Sequence, residues 1–272
     1  MLLEKKARHL HRDGLYRQQL VTNLVHIEML NINWCLGNIM RGLSQLTLLQ
    51  YFSVPKVASS SMSRALLPFL QNKTDGKTKQ FPFVQAEVWD RAGHMKYEDF
   101  LSGQNVTPTF LISRHPLTRL VSAYRNKLQP GTRTVEYFIK EYAKVISSKA
   151  RGSWQSGDPD PTFSEFVKYL INTRMENFDE HWMPVALRCR VCQVPHDFIL
   201  HYEDLEVDWE QFLKEVNITE NIKLPWENKG HGDIASYYHN ISREDLAGLY
   251  RKYEADFLMF GYSIENIIKD PS

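Results

Sequence analysis

Apolar residues along the chain alternate between short strand-like runs and runs with helical spacing. Short apolar runs at residues 46–54, 109–113 and 197–200 are typical of buried strands. The first two are followed by apolar residues at helical spacing, at 61–70 and 117–128. A repeated order of strand, loop and helix is typical of a parallel sheet with helices on its faces. We therefore expect an α/β fold.

The two ends of the chain are predicted to be helical. Residues 15–40 carry apolar positions at mixed helical spacing, which indicates one or two amphipathic helices packed on the domain or on a partner. Residues 245–260 are also amphipathic and are expected to close the fold. We divide the chain into an N-terminal helical segment, 1–45, and one larger domain, 46–272.

Three further elements complete the predicted order. Residues 81–89 form another possible strand. The pattern T-x-x-E at residues 162–165 precedes an apolar run and is typical of a helix start. A helix is also expected around residues 209–216, after the strand at 197–200.

Composition and charge exclude some classes of partner. With 272 residues, 43% of them apolar, the chain has ample material for a core. Thirty-three basic and 32 acidic residues leave a net charge of +1, without the positive excess of a nucleic-acid binder. No run reaches the ~18 apolar residues of a membrane-spanning helix. An anionic partner must therefore be bound by local clusters of charge.

Cysteines and glycosylation sequons bear on the compartment. Cys189 and Cys192 form a C-x-x-C pair, which can be a redox dithiol, a local disulfide or two buried thiols. Prolines on both sides of the pair suit an irregular, stapled loop. The sequon N-x-S/T occurs at Asn72, Asn105, Asn217 and Asn240. Together these features favour a secretory lumen.

The loop after the first predicted strand has the composition of an anion-binding turn. Lys56 and three consecutive serines, 59–61, stand where a helix begins. Main-chain N–H groups and the helix dipole favour phosphate or sulfate at such a point. The loop lacks the G-x-x-x-x-G-K-S/T pattern of the nucleotide-binding loop. The alternative is a serine-capped helix start without a ligand.

A second strand end offers the same chemistry. The stretch "FLISRHPLTRLVSAYRNKL", residues 110–128, runs from a strand into a loop with Arg114 and then into a helix. Arg114 at the strand end and Ser122 in the helix can reach one ligand. Two anion-binding strand ends in one sheet fit a ligand with two phosphate groups.

These stretches carry a family resemblance. "PKVASSSMSR" resembles the 5′-phosphosulfate loop, and "SRHPLTRLVSAY" the 3′-phosphate motif, of the Golgi carbohydrate sulfotransferases that use 3′-phosphoadenylyl sulfate (PAPS). The resemblance extends through "DEHWMPVALRCRVCQVPHDFILHYEDLEVD" to "LYRKYEADFLMFGYS" and is nearest to enzymes of the chondroitin, dermatan and HNK-1 type. It implies a three-layer α/β sandwich with a central parallel sheet, and it makes residues 46–272 the catalytic domain.

The resemblance also implies roles for individual residues. Lys56 matches a lysine that contacts the bridging and sulfuryl oxygens, and Cys189 and Cys192 match a pair expected to be disulfide-bonded. The cofactor-binding residues that it implies are Pro55, Lys56, Val57, Ala58, Ser59, Ser60, Ser61, Arg114, Arg119 and Ser122.

Three positions depart from the family pattern. His115 replaces an aspartate, Met62 stands where a tryptophan is common, and Ser60 replaces a threonine. A neutral imidazole at His115 can still brace the loop by hydrogen bonds, but loss of the carboxylate and of the aromatic ring is expected to bear on cofactor affinity.

The general base is expected to be a histidine, because its pKa lies near neutrality. His94, in "AGHMKYEDF", occupies a position that resembles the catalytic histidine of the uronyl 2-O-sulfotransferases, and we favour it. His181, in "EHW", is the alternative, and its other interpretation is a structural residue. Glu87 and Glu180 stay open as carboxylate bases.

An acidic glycan is the expected acceptor. The cations that can line its groove are Lys127, Arg125, Arg133, Lys149 and Arg151. The alternative for these residues is a solvated basic helix face.

The sequence thus predicts an enzyme that moves the sulfuryl group of PAPS to a glycan hydroxyl, with Lys56 stabilising charge and no metal. Two alternatives are a sulfotransferase-like protein that binds PAPS or glycan without turnover, and a nucleotide-dependent kinase, which the missing glycines disfavour. The resemblance implies a Golgi membrane protein, yet no anchor precedes Tyr51. We expect a truncated or variant chain, or one held in the lumen differently.

Overall fold

The computed structural model describes most of the chain beyond the N-terminal segment. The described residues are 37–44, 47–70, 94–95, 108–129, 138–155, 157–194, 196–219, 221–225 and 233–266. The strand expected at 81–89 lies outside these ranges, as do Glu87, Arg133 and most of the helical segment expected at 1–45.

The centre of the described fold is one mixed sheet with the strand order β3-β1-β2-β4-β5. Its strands are β1 (Gly37–Ser44), β2 (Thr47–Phe52), β3 (His94–Met95), β4 (Thr109–Ser113) and β5 (Phe198–His201). The strands β2, β4 and β5 are parallel neighbours, whereas β1 pairs antiparallel with both β2 and β3. The predicted central parallel sheet is therefore confirmed, and it carries an antiparallel extension on one side.

Helices follow the strands as the sequence pattern predicts. The α-helices are α1 (Ser59–Leu70), α2 (Pro116–Lys127), α3 (Lys144–Arg151), α4 (Phe163–Ile171), α5 (Val185–Arg188), α6 (Leu205–Glu215), α7 (Ile234–Tyr238) and α8 (Arg243–Met259). A π-helical turn, Ile139–Ala143, precedes α3, and short 3₁₀ turns occupy Met175–Asn177, Tyr202–Asp204 and Ile264–Asn266.

Local sequence explains several of these boundaries. All five residues of β4 are buried, as expected for a central parallel strand covered on both faces. Helix α4 begins with a capping box, in which the Thr162 side chain accepts from the main-chain N–H of Glu165 and the Glu165 carboxylate accepts from that of Thr162. Helix α2 begins with Pro116, whose fixed φ suits the first helical position.

The helices pack into two buried clusters. One cluster combines strand residues such as Phe110 and Leu111 with Met62 of α1 and Phe212 of α6. The other consists mainly of helical residues from α2, α4 and α8. Helices thus flank the parallel strands, and the α/β class is confirmed.

One boundary in the N-terminal prediction is wrong. The helical pattern predicted over 15–40 extends into residues that form β1, because Gly37–Ser44 pair along β2 as an antiparallel strand. Among the helices of the described residues, none combines the length and the apolar character that a membrane crossing requires.

Candidate functional site

The first strand-to-helix turn, residues 53–58, joins β2 to α1 and contains no glycine. Two of its residues nevertheless adopt left-handed backbone conformations, Lys56 with φ 72° and Ala58 with φ 67°. Such conformations cost an L-residue about 1 kcal/mol each. Turns that include left-handed residues can gather main-chain N–H groups into a concave, anion-binding surface. The strain indicates that neighbouring groups hold this turn in shape.

The second turn joins β4 to α2 through Arg114 and His115 alone. His115 is 3% exposed. Its Nδ1 accepts from the N–H of Leu117 at 3.3 Å and its Nε2 donates to the carbonyl of Ser263 at 2.9 Å. Burial is the main cause that lowers the pKa of His115, so the imidazole is neutral and its tautomer is fixed by these two bonds.

A carboxylate is also present at the second turn, on another element. The main-chain N–H of His115 donates to Glu203 Oε1 at 2.9 Å, and Tyr262 Oη donates to Glu203 Oε2 at 3.0 Å. His115 therefore caps α2, as an aspartate at this position can, and also supplies a donor that an aspartate lacks. The departure at His115 leaves the turn fully braced.

Arg114 connects the two turns. Its Nη1 donates to the carbonyl of Lys56 at 3.0 Å, and its Nε donates to Thr118 Oγ1 at 3.2 Å. The guanidinium lies over the ring of Tyr202, 4.2 Å from its centroid. A cation held on an aromatic face and by two hydrogen bonds is fixed in orientation.

Arg119, expected to bind cofactor, is instead 1% exposed and bonded to three main-chain carbonyls. Its Nε donates to Pro55 at 3.0 Å, Nη1 to Met183 at 2.7 Å and Nη2 to Glu180 at 3.1 Å. Arg119 thus ties the first turn to the segment that carries His181. In this arrangement its guanidinium positions the loop.

Lys56 places its ammonium group beside α2. Its Nζ donates to Asn126 Oδ1 at 2.7 Å. Burial, with the neighbouring charges of Lys127 and Arg114, lowers the pKa of Lys56 to about 7. The charged groups that shift this pKa are all cations, including Arg119, so an anion at this point would be strongly favoured.

One face of α2 lines the space between the turns. Thr118, Ser122 and Asn126 follow one another at a spacing of four and so share this face. Thr118 contacts Arg114, and Asn126 contacts Lys56. Ser122 is half-buried and lies between them along the helix. Ser122 therefore lies on the same helix face as Thr118, which contacts Arg114, and Asn126, which contacts Lys56. Arg114 and Lys56 are the two predicted phosphate-binding cations.

The remaining residues of the first turn and helix start differ in exposure. Ser59 and Ser60 are half-buried at the start of α1, and Ser61 is 7% exposed. Val57 and Met62 are fully buried in the sheet cluster. Met62 therefore fills core volume at the start of α1.

His181 forms a dyad with Asp179. Its Nδ1 lies 2.6 Å from Asp179 Oδ1, so Nδ1 carries the proton and Nε2 presents a lone pair. Tyr142 Oη donates to Asp179 Oδ2 at 3.1 Å. Burial, and next the charge of Lys127, lower the pKa of His181 despite the carboxylate. Burial alone would raise the pKa of Asp179, but bonds from His181 and Tyr142 outweigh it and hold that pKa below its ordinary value.

The other candidate bases are placed differently. His94 lies in β3, paired with Asn38 of β1, so the strand β1 lies between its backbone and β2. Glu180 forms an ion pair with Arg188, with Oε2 3.0 Å from Nη2. His181 is thus a neutral imidazole whose Nε2 can accept a proton, whereas the carboxylate of Glu180 is ion-paired.

The basic groove is only partly assembled. Lys127 lies over the ring of Phe138, with Nζ 4.1 Å from its centroid. The negative charges of Asp179 and Glu180 attract its ammonium group. Arg151 does not line a groove, because its guanidinium forms a bidentate pair with Glu165, at 2.6 and 2.8 Å.

Lys149 likewise makes a hydrogen bond within the fold. Its Nζ donates to Thr173 Oγ1 at 3.0 Å. Arg125 is half-buried on α2. Among the predicted cations that the structure describes, Lys127 lies near enough to Lys56 and His181 for its charge to contribute, after burial, to the lowered pKa of both.

Cys189 and Cys192 are thiols in the structure, the first buried and the second exposed. The disulfide implied by the resemblance is therefore not formed. Cys192 Sγ lies 3.9 Å from Met259 Sδ, against α8. The turn between the two cysteines includes Arg190 in a left-handed conformation, with φ 47°.

Several residues of the site were missed by sequence reasoning. The spacing of four from Arg114 to Thr118 and from Ser122 to Asn126 is a local pattern that points to them. Asp179 stands two residues before His181, and an acidic residue so close to a candidate base is a local pattern that points to it. Tyr202, Glu203 and Tyr262 reach the second turn from distant elements, and no short-range pattern identifies them.

Comparison with known proteins agrees with this geometry. The model of the sulfotransferase family matches residues 47–263. Carbohydrate sulfotransferase 11 of Rattus norvegicus is 33% identical over 237 residues, which cover 80% of this chain and 66% of the relative. Carbohydrate sulfotransferase 14 of Mus musculus is 33% identical over 234 residues, covering 81% of this chain and 59% of the relative.

Carbohydrate sulfotransferase 14 of Homo sapiens is 37% identical over 168 residues, which cover 59% of this chain and 44% of the relative. The chain thus spans less than two thirds of the length of these curated relatives. No solved structure gives a significant match.

Proposed function

This chain belongs to the sulfotransferase family, and we propose that it transfers the sulfuryl group of PAPS to a hydroxyl of an acidic glycan, with chondroitin or dermatan as the first candidates. One observation carries the proposal. Arg114 and Lys56 stand at the ends of adjacent parallel strands and are joined by a hydrogen bond of 3.0 Å. A ligand with phosphate groups at two positions suits two such turns.

The residues present fit this cofactor. Lys56, Arg114 and Lys127 are cations that burial has partly desolvated, and Lys56 is also repelled by the charges of the other two, so an anion beside Lys56 offsets both effects. We assign the 5′-phosphosulfate to the turn at 55–61 and the 3′-phosphate to Arg114 and Ser122. When bound, PAPS supplies an activated sulfuryl group.

Lys56 and His181 then have complementary roles. The ammonium of Lys56 stabilises negative charge that develops on the leaving oxygen during in-line transfer. The neutral Nε2 of His181 accepts the proton of the attacking hydroxyl, and Asp179 stabilises the resulting imidazolium. Arg119 and His115 act through the shape of the two turns.

The experiment is transfer of labelled sulfate from PAPS to a panel of desulfated chondroitin, desulfated dermatan and a neutral glycan. We expect label on the acidic glycans. His181→Ala is expected to lower turnover about 10²–10⁴-fold, the typical contribution of a general base. Binding of 3′-phosphoadenosine 5′-phosphate (PAP) should change less than about twofold, because the proposal gives His181 no contact with either phosphate.

His94→Ala is the matched variant. Unchanged turnover in His94→Ala together with a large loss in His181→Ala supports the assignment, whereas the reverse pattern makes His94 the base. Tight PAP binding without transfer to any member of the panel would indicate a binding protein and overturn the proposed activity.

The proposed compartment is the Golgi lumen, with N-linked glycans on the chain. Asn217 and Asn240 both lie on exposed turns, each followed by a buried isoleucine and an exposed hydroxyl residue. Expression through a secretory pathway, followed by glycosidase treatment, should reduce the mass of the chain. The double variant Asn217→Gln/Asn240→Gln should show a smaller reduction, and an unchanged mass in the parent chain would contradict luminal glycosylation.

A further inference from the structure

The segment 180–186 contains His181 and is held from two sides. From one side, Arg119 of α2 donates to the carbonyls of Met183 and Glu180. The same guanidinium donates to Pro55 in the first turn. The position of this segment and the shape of the turn are therefore linked through one side chain.

From the other side, the C-terminal helix α8 reaches the segment through Asp256. Its Oδ2 accepts from the N–H of Val185 at 2.8 Å and its Oδ1 accepts from the N–H of Ala186 at 2.7 Å. These N–H groups open the short helix α5 and have no partner in their own helical turn. One turn earlier in α8, Tyr253 Oη donates to the carbonyl of Trp182.

Burial of a carboxylate is costly unless hydrogen bonds or a neighbouring cation compensate it. Asp256 is 1% exposed, and burial raises its pKa to about 6, an effect opposed by the two N–H donors and by the charge of Arg119. The charge of Asp256 in turn favours the cationic form of Arg119 against burial. The two residues thus act on each other electrostatically as well as through the segment that both hold.

We propose that Asp256 is a positioning residue that sets the cofactor turn at Pro55 and the base His181 by clamping segment 180–186 against Arg119. The expected effect on PAP binding and turnover rests on the proposed function. The expected link between segment 180–186 and the turn at Pro55 does not. The clamp makes α8, which lies outside both phosphate-binding turns, a determinant of cofactor affinity.

The test compares Asp256→Asn with Glu254→Gln, which removes an exposed carboxylate from the same helix. The asparagine keeps the size of the side chain but loses the charge and one of two acceptors. We expect PAP to bind about tenfold more weakly to Asp256→Asn and unchanged to Glu254→Gln, since loss of one charge-assisted bond is typically worth a factor of this order.

A double-mutant cycle with Arg119→Lys distinguishes a clamp from two separate structural effects. If each single variant weakens PAP binding about tenfold, independent sites predict about a 100-fold loss in the double variant. A shared clamp predicts about 10–30-fold, because the second substitution acts on a segment already released. A 100-fold loss would overturn the proposal.

Hydrogen exchange gives a readout that needs no cofactor. Asp256→Asn should accelerate amide exchange about tenfold or more in residues 180–188 and also in the turn at 55–61, while Glu254→Gln should change neither. Acceleration confined to 180–188, with the turn unchanged, would overturn the proposal. If the parent chain fails to bind PAP, the proposed function fails, and this exchange result still decides the clamp.

Should Asp256→Asn not fold, Arg119→Lys tests the same link from the opposite end. The amides of Val185 and Ala186 donate to Asp256, whereas Arg119 donates to the carbonyls of Glu180 and Met183. Faster exchange at these two amides in Arg119→Lys supports the clamp, and unchanged exchange refutes it.

Discussion

The two strand-to-helix turns of the site look alike in sequence but obtain their shape differently. The turn at 53–58 includes two left-handed residues, Lys56 and Ala58, and its carbonyls are held by arginines from α2 and the second turn. The turn at Arg114 and His115 is short, and its own imidazole caps the helix that follows. The first turn is held in shape by side chains from other elements, whereas the second combines its own helix cap with bonds to Glu203 and Ser263.

This difference indicates how the site divides its tasks. A strained turn can hold its N–H groups in a concave arrangement, but only while distant groups keep it there. The self-capped turn provides a fixed point, and Arg114 extends from it to the carbonyl of Lys56. The first turn should therefore be sensitive to substitutions elsewhere in the chain, and the second mainly to substitutions within it or in its direct partners.

The largest effect is expected from Arg119→Lys. A lysine can replace at most part of the three hydrogen bonds to Pro55, Met183 and Glu180, so the free energy of unfolding should fall by about 3 kcal/mol. Urea denaturation measures the loss. Arg125→Lys on the same helix, half-buried, is the control and should cost much less. Equal losses would contradict external support of the first turn.

The next largest effect is expected from His115→Asp, which introduces the aspartate that the sequence resemblance leads us to expect at this position. Aspartate can accept from Leu117 but cannot donate to the carbonyl of Ser263, and its charge would lie near Glu203. Unfolding free energy should fall by about 2 kcal/mol.

His115→Asn is the matched control for that substitution. It is uncharged and keeps both a donor and an acceptor, so it should lose less stability than His115→Asp. A chain that becomes more stable with aspartate would show that the second turn is not adapted to the imidazole.

The pH dependence of PAP binding tests the charge on the first turn. The pKa of Lys56 is about 7 without ligand, and a bound anion raises it, so binding above pH 7 must take up a proton. Affinity should therefore fall by up to about tenfold per pH unit from pH 7 upwards.

Calorimetry at pH 8 in buffers of different ionisation enthalpy measures that proton uptake. Lys56→Arg should show a nearly flat profile, because a guanidinium keeps its proton throughout this range. Equal slopes in the two proteins would show that another group is responsible.

The smallest effect is expected from Ala58→Gly, which relieves a left-handed alanine. Glycine adopts φ 67° without steric cost, and the chain should gain about 0.5 kcal/mol in unfolding free energy after its greater unfolded entropy is included. Ala255→Gly, within α8, should instead lose about 1 kcal/mol. A loss in both variants would mean that the first turn is not strained at Ala58.

The order of elements was open to prediction because it depends on local patterns. Local patterns indicate element boundaries to within a few residues at the apolar run of β4, the capping box at Thr162 and the proline at the start of α2. The helical pattern that extended to residue 40 was misleading because β1 is defined by its pairing with β2. Local periodicity does not reveal which strands pair.

The site was predictable in part for the same reason. Lys56 and Arg114 follow strands that the sequence reveals, so their meeting at one sheet edge follows from parallel topology. The internal role of Arg119, the pairing of Arg151 with Glu165 and the approach of Asp256 to Val185 depend on long-range packing. No spacing rule distinguishes an arginine that binds a phosphate from one that binds carbonyl oxygens.

The most direct test of the two-turn site is the preference for a 3′-phosphate, measured as the ratio of the dissociation constants of AMP and PAP, which differ only in that group. The parent chain should favour PAP about 100-fold, since Arg114 and Ser122 together supply charge-assisted bonds to the 3′-phosphate. Arg114→Gln should reduce this ratio to less than about tenfold, and any weaker binding of AMP itself reports the lost bond from Arg114 to the Lys56 carbonyl. A parent chain that binds AMP as tightly as PAP would contradict the assignment of the 3′-phosphate to Arg114 and Ser122.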